Sequence, residues 1–307
     1  MSAENPPVRS KLHGRLLVCA TPIGNLDDVT LRVLDALRAA DVLACEDTRH
    51  TQILLARHDI VAARLVSLHE HNERARASDL AARIRAGETV ALVSDAGTPL
   101  ISDPGFALVQ ACIQAGLPVE VLPGPSAVLS ALVASGLPAE RWCFVGFLPR
   151  KRAERERLFE HPQHPRHPRH PRHPLQTLVA FESPRRLAAT LEQLAERDPR
   201  RPLAVCRELT KLHEEVRRGT AAELAEHYAE NAPRGEVVLV VGAAGSGAAG
   251  SDPADPPADP GHRADALQAL RELLDAGARP RPAAKVVAKL TGLTANELYR
   301  DLTTGGQ

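Results

Sequence analysis

The feature that most constrains this chain is an alternation. Short apolar runs are followed by turns rich in glycine or proline, and then by segments whose apolar residues recur at helical spacing. Leu16–Ala20 (LLVCA), Val42–Cys45, Leu65–Leu68, Thr89–Ser94 (TVALVS) and Val119–Leu122 read as buried strands. Thr30 is placed to cap a helix carrying Leu31, Leu34 and Leu37 on one face. Residues 73–86 form a second helical segment, stopped at Gly87. Asp103 followed by Pro104 predicts a helix start, a carboxylate cap with proline in the first helical position, ending near Gly116. Ser126 caps the next helix, with Gly136 beyond its end. Strands alternating with helices through about residue 136 predict an α/β domain, here 14–138.

A second α/β domain, 139–242, follows, with strands at Cys143–Phe147, Thr177–Phe181, Leu203–Cys206 and Val237–Val241 and helices at 183–196 and 220–229. It is interrupted at 161–174 by HPQHPRHPRHPRHP, whose recurring proline forbids helix and central strand. The tract reads as a solvated, disordered, polyproline-II-like insertion. The whole chain of 307 residues has zero formal net charge, so any nucleic-acid signal lies in its distribution. Residues 141–174 hold nine Arg or Lys against three Glu. This is a basic patch compatible with phosphates, or a solvated loop.

Residues 243–262 have linker composition. In the small helical domain 263–307, Leu267, Leu270, Leu273 and Leu274 share a face, and 283–302 resembles a helix-turn-helix with Thr294 capping its second helix. A plain helical hairpin against a partner subunit is equally physical. Arg279 and Arg281 precede Lys285 and Lys289, which share one helical face suited to phosphates. Cys19, Cys45, Cys143 and Cys206 fall in strand-like runs and Cys112 in an apolar helix, so reduced core cysteines are expected. No apolar run has membrane-spanning length and no signal-peptide core opens the chain, which points to the cytoplasm.

Three Gly/Pro-rich loops follow apolar runs: Ala20-Thr21-Pro22-Ile23-Gly24-Asn25-Leu26, Ser94-Asp95-Ala96-Gly97-Thr98-Pro99 and Pro123-Gly124-Pro125-Ser126-Ala127. Ligands of open α/β sheets sit at the carboxyl ends of strands, and glycine lets them approach the backbone. There is neither a GxGxxG nor a P-loop lysine, which argues against a dinucleotide or nucleoside triphosphate. Polar groups gather after other apolar runs: Glu46-Asp47-Thr48-Arg49-His50, His69-Glu70-His71-Asn72-Glu73 and Arg207-Glu208-Leu209-Thr210-Lys211. They suit acid–base chemistry, or helix caps and salt bridges. The two histidines of HEHN would not share a helical face, and no metal site is expected.

In order, the segments CATPIGNLDDVTLRVLDAL, ACEDTRHT, SLHEHNE, VALVSDAGTPLISDPG, LPGPSAVLSALVASGLP, FVGFLPRK, FESPRRL, RELTKLHEE and GEVVLVVG closely resemble the ribosomal RNA small-subunit methyltransferase I family, part of a tetrapyrrole-methylase-like superfamily. The resemblance covers about residues 14–242. It implies two α/β domains of the tetrapyrrole-methylase type with S-adenosyl-L-methionine in the cleft between them, plus the helical end domain. It also implies a homodimer, and methylation of a cytidine 2′-hydroxyl at the decoding centre of 16S rRNA, within the small ribosomal subunit. Residue by residue it assigns to the cofactor Pro22 and Gly24, then Ser94, Asp95, Ala96 and Gly97, then Ser126 and Ala127, and finally Phe181, Glu182 and Leu209. The family carries histidine after ESP where this chain has Arg185, so no catalytic role is carried over to that position.

Methyl transfer from a sulfonium is an in-line displacement in which positioning supplies much of the rate. A ribose hydroxyl benefits from a base or from a cation that stabilises its alkoxide. Asp47, His69, Glu70 and Lys211 are the candidates, unranked. Two other readings stay open: methylation of a small tetrapyrrole on the same fold, and a nucleic-acid-binding regulator without catalysis, which would leave the three loops unexplained.

Overall fold

Successive residues of β1 (Arg15–Cys19) face opposite ways, and both ways are apolar. Leu17 and Cys19 pack with Leu43, Cys45, Ala91 and Val93 beneath α1 (Leu31–Ala39) and α2 (Thr48–Arg57). Leu16 and Val18 pack with Val42, Ala44, Val90 and Leu92 beneath α3 (Glu73–Arg85) and α4 (Phe106–Gln114). A strand apolar on both faces belongs inside a parallel sheet covered by helices on both sides. The computed structural model, which describes residues 14–160, 176–243, 260–275, 277–291 and 298, has that arrangement. With β2 (Val42–Cys45), β3 (Leu65–Ser67), β4 (Thr89–Val93) and β5 (Val119–Leu122), β1 forms a parallel sheet of order β3-β2-β4-β1-β5. Cys19 lies level with Val93 on one side and Leu122 on the other. The loops leaving β1, β4 and β5 therefore emerge side by side.

The next helix, α5 (Ala127–Ser135), serves the second sheet. Its Val128, Ala131 and Leu132 lie on Val179, Ala204, Cys206, Val238 and Val240. That sheet runs β6 (Trp142–Phe147), β7 (Thr177–Glu182), β10 (Val237–Val241), β8 (Pro202–Arg207), β9 (Glu215–Thr220). Only β6 and β7 are parallel. Its other face is covered by α7 (Pro184–Arg197) and α8 (Ala221–Glu230) through Leu187, Leu191, Leu194, Leu224 and Tyr228. Thr220 and Glu223 close a reciprocal capping box at the start of α8.

Several expectations need correction. Asp103 does not cap a helix. The chain bends through 101–104, and α4 starts at Phe106 after Gly105 at φ 126°. Its first amides are satisfied from outside, because Glu73 Oε1 accepts from Gly105 N at 2.9 Å and Ala107 N at 2.7 Å. The basic stretch after β6 contains α6 (Arg152–Glu160). Its Arg155 is buried and donates to Gln193 Oε1 and to the Pro149 and Arg150 carbonyls, so that cation faces inward rather than solvent. The five cysteines are free, four of them buried and Cys143 partly so.

Residues 248–307 form a separate compact unit. In it α9 (Pro260–Asp275) starts inside the expected linker and meets α10 (Pro280–Thr291) through Ala266, Leu270, Ala283, Ala284 and Val287. Leu267 and Leu274 flank this contact, while Leu273 is 38% exposed and lies off the face. Arg281 lies inside α10 rather than before it. The histidine–proline tract 161–174, the linker stretch 244–259 and the second helix of the expected helix-turn-helix, apart from Leu298, lie outside the described residues.

Candidate active site

The three loops at the ends of β1, β4 and β5 hold one another. Thr21 and Gly97 exchange backbone hydrogen bonds, N to O at 2.8 and 3.0 Å, as an isolated antiparallel bridge. The Thr21 hydroxyl donates to the Ser94 carbonyl at 3.1 Å, and the Ser94 hydroxyl to the Gly97 carbonyl at 3.3 Å. Gly97 sits at φ 77°, where a side chain is strained, and a Cβ there would meet Ile23 at 3.4 Å and the Pro125 carbonyl at 3.8 Å. The backbone of the second loop is thus pressed between the first and the third.

Facing these loops is the second sheet, and between them lies a cavity of about 430 Å³, a size suited to a small molecule. Of the residues expected around the cofactor, Ala96, Gly97, Ser126 and Ala127 line it from the first sheet. Phe181, Glu182 and Leu209 line it from the second. Ser94 and Pro22 are buried and do not line it. Asp95 is turned away: its Oδ1 accepts from Asp47 N at 3.0 Å and its Oδ2 meets His50 Nδ1 at 3.2 Å. Gly24 faces the tight turn after β8, and a Cβ there would stand 2.7 Å from Thr210 Oγ1 and 2.9 Å from the Leu209 carbonyl. Asn25 N donates to Thr210 Oγ1 at 3.0 Å. Gly24 therefore lets the first loop clamp onto the second sheet.

None of the four residues considered for acid–base work lines the cavity. Asp47 caps α2 and is gripped by Arg49, whose hydrogen bonds hold its carboxyl down at about 2. The His69 amide donates to Asn72 Oδ1, and the ring meets Asn72 Nδ2 at 3.1 Å. Glu70 is exposed. Lys211 lies 2.9 Å from both Glu208 Oε1 and Glu236 Oε2, the second of which lines the cavity. Burial works against its charge, but the hydrogen bonds to these two carboxylates prevail and raise its pKa.

Sequence reasoning missed Asp103, Glu236 and the Ser183–Pro184 pair among the lining residues. Asp103 lies on a bent loop where Leu100 and Ser102, both non-glycine, adopt φ of 74° and 69°. Such strain gathers where a site must be held in one shape. Burial and the neighbouring Glu46 carboxylate push Asp103 up to about 6, opposed by a hydrogen bond with Ser94. The available signal was the second Asp of SDAGTPLISDPG, which looks like a helix cap in isolation. Glu182 is the opposite case. Its buried carboxylate accepts from Ser183 N at 2.6 Å and from Thr190 Oγ1 at 2.8 Å, and forms an ion pair with Arg186 at 2.5 Å. Arg185, next to it, is exposed.

The charged residues lining the cavity are Asp103, Glu182 and Glu236, and the described lining holds no Lys, Arg or His. Glu182 and Glu236 are paired with Arg186 and Lys211 outside the lining, so the net negative charge at the wall comes from Asp103; with apolar contact from Ile23, Phe147, Phe181 and Val238, the chamber suits a cationic small molecule better than a phosphate.

Residues 15–225 match the sequence profile of the Tetrapyrrole (Corrin/Porphyrin) Methylases. The chain is 45% identical over 296 residues to "Ribosomal RNA small subunit methyltransferase I" of Mesorhizobium japonicum, covering 95% of this chain and 92% of the relative. It is equally 45% identical to the protein of that name from Mycobacterium bovis, covering 93% of each. Among solved structures it is similar to uroporphyrin-III-C-methyltransferase from Thermus thermophilus (TM-score 0.52, 28% identity, 75% of this chain and 94% of that one). It also resembles the Uroporphyrin-III C-methyl transferase structure from Thermus thermophilus complexed with S-adenyl homocysteine (TM-score 0.51, 22% identity, 75% and 97%).

Proposed function

The chain belongs to the tetrapyrrole (corrin/porphyrin) methylase family and to its ribosomal RNA small subunit methyltransferase I group, and from that premise we propose that it moves a methyl group from S-adenosylmethionine to a cytidine ribose 2′-oxygen of 16S rRNA. The observation that carries the cofactor half of this reading is the anionic cavity at the carboxyl ends of β1, β4 and β5. S-adenosylmethionine supplies a methyl group already activated on a positively charged sulfur. The lining suits that group in charge and in apolar contact. Asp103, the lining carboxylate without an ion-pair partner among the described residues, favours a sulfonium, and Ile23, Phe181 and Val238 offer apolar contact. Gly97, held by the Thr21 bridge, lines the cavity without a side chain that would fill it.

The RNA half rests on relatives that match nearly the full length of the chain. The acceptor is read as rRNA in the small ribosomal subunit and the compartment as the cytoplasm; no described helix is long and apolar enough to cross a membrane. The two sheets are read as domains meeting at about residue 138, and the separate helical unit as an RNA-gripping appendage through Arg279, Arg281 and Lys285. A homodimer completes the reading. Edge strand β5 exposes Glu120 and Val121, although parallel strands are ordinarily covered on both faces, and Ile113 on α4 is exposed as well. A second copy covering this edge makes light scattering report a dimer at micromolar concentration; a monomer there refutes that part.

The test is transfer of labelled methyl from S-adenosylmethionine to small ribosomal subunits and, in parallel, to a tetrapyrrole acceptor. Label on RNA alone is expected. Label on the tetrapyrrole alone overturns the reading.

A further inference from the structure

A ribose hydroxyl that attacks a methyl group must lose its proton, and none of Asp47, His69, Glu70 or Lys211 lines the cavity. Four titratable side chains do: Asp103, Glu182, Cys206 and Glu236. Three of them are committed elsewhere. Glu182 is held by Ser183 N, Thr190 and Arg186. Glu236 is 72% exposed and paired with Lys211. Cys206 is buried under α5, bonds the Ala131 carbonyl, and burial pushes its thiol up to about 11. Asp103 has no ion-pair partner among the described residues; burial and the Glu46 and Asp95 carboxylates act against its charge, opposed by the Ser94 hydroxyl.

Resting on the ribose-methylation reading, we propose that Asp103 is the catalytic residue that accepts the proton of the attacking 2′-hydroxyl. The geometry that supports it is the loop 98–105. Leu100, Ser102 and Gly105 all have positive φ, and Glu73 fixes the loop's end through the Gly105 and Ala107 amides. Asp103 is thereby held on the wall of the cavity that Phe181, Glu182, Ala96 and Gly97 also line. In the step, the hydroxyl O–H bond breaks as the O–CH3 bond forms. The electron pair of the breaking C–S bond returns to sulfur, leaving a neutral thioether, and the proton goes to the Asp103 carboxylate, which later gives it to water.

The groups facing Asp103 set its titration. From the end of β2 comes Glu46, itself raised by burial and by Asp95, and partly offset by His69. From the β4 loop come Asp95, which meets His50, and the Ser94 hydroxyl. An aspartate in this anionic, half-buried setting protonates nearer neutrality than one in water, and a base of that strength is effective at neutral pH.

The experiment combines three measurements on the full chain. Wild-type single-turnover methylation of small ribosomal subunits should rise about tenfold per pH unit below about 6 and level off above it. A rate flat from pH 5 to 8 overturns the proposal. Asp103→Asn should lose about 100-fold or more of the plateau rate, keep S-adenosylhomocysteine affinity by calorimetry within about threefold, and be partly rescued by Asp103→Glu. A rate within about threefold of wild type, or a fall matched by an equal loss of binding, overturns it. Near-ultraviolet circular dichroism checks that the variants fold, and the pH profile needs no variant. Nucleoside analysis of the wild-type product tests the ribose reading alone, so failure of the reaction class is separable from failure of Asp103.

Discussion

Asp103→Asn should make the folded protein more stable, by an amount that depends on pH. Lifting a carboxyl from 3.8 to about 6 corresponds to about 3 kcal/mol against the charged form, at ~1.4 kcal/mol per pH unit. The side chain keeps partial contact with water, which screens this cost, so about 1–2 kcal/mol is expected. Below the unfolded value both states hold the proton and no cost arises. Between about pH 4 and 6 the folded protein keeps a proton that the unfolded chain has released, so wild-type stability falls as pH rises through this window and stays lower above it. Asparagine never charges and escapes the loss. The difference between variant and wild type should open from near zero at about pH 4 to its full value by about pH 7. For a unit of this size that is about 3–6 °C in Tm. Thermal melts of both proteins at matched pH values from 4.5 to 8 read it, because the other carboxylates largely cancel in the difference. A gap that is constant with pH, or that closes as pH rises, refutes the reasoning.

Gly97→Val forces a β-branched residue to φ 77° beside Ile23 and should weaken S-adenosylmethionine binding at least about tenfold while the protein stays folded; unchanged calorimetric affinity would refute the loop assignment. Arg186→Met leaves the buried Glu182 carboxylate without its cation and should cost about 2–4 kcal/mol in urea unfolding, since the arginine itself is part-exposed; a loss below about 1 kcal/mol contradicts the role given to the pair. Thr220→Ala breaks the capping box of α8 and should cost about 1 kcal/mol in the same assay. Truncation after residue 243 should leave S-adenosylmethionine binding intact but reduce affinity for the ribosomal particle and flatten its salt dependence, whereas an unchanged salt slope rules out an RNA grip by the tail.

Much of the framework was legible because burial is two-sided in the first sheet. LLVCA and TVALVS have no polar interruption, and the Gly/Pro loops after them mark strand ends. The sheet order then makes neighbours of three loops that are far apart in sequence. What escaped was governed by partners distant in sequence. The segment Thr48–Arg57 buries only Thr51, Leu54 and Leu55, too few for a clear helical stripe. RAERERLFE looks like a solvated basic run, yet Arg155 is drawn inside by Gln193 and two carbonyls. EVRRGT is a polar edge strand defined by its pairing with β8. Asp103-Pro104 carries the local signature of a helix start, but Glu73 supplies the cap from another helix and leaves Asp103 for the cavity. At the site, the loop residues Ala96, Gly97, Ser126 and Ala127 were legible, while the acid–base group was not, because its environment comes from Glu46, Ser94 and Asp95 converging on one loop.

The most direct test of the account is the position of the methyl group. Small ribosomal subunits lacking the modification are incubated with the protein and S-adenosylmethionine, the RNA is digested to nucleosides, and the products are resolved by mass spectrometry with fragmentation of the glycosidic bond. The account predicts one new product, a cytidine whose added mass of one methyl group stays with the ribose fragment, formed only when S-adenosylmethionine is present. Added mass on the base fragment, or no methylated nucleoside from a protein that binds S-adenosylmethionine, would contradict it.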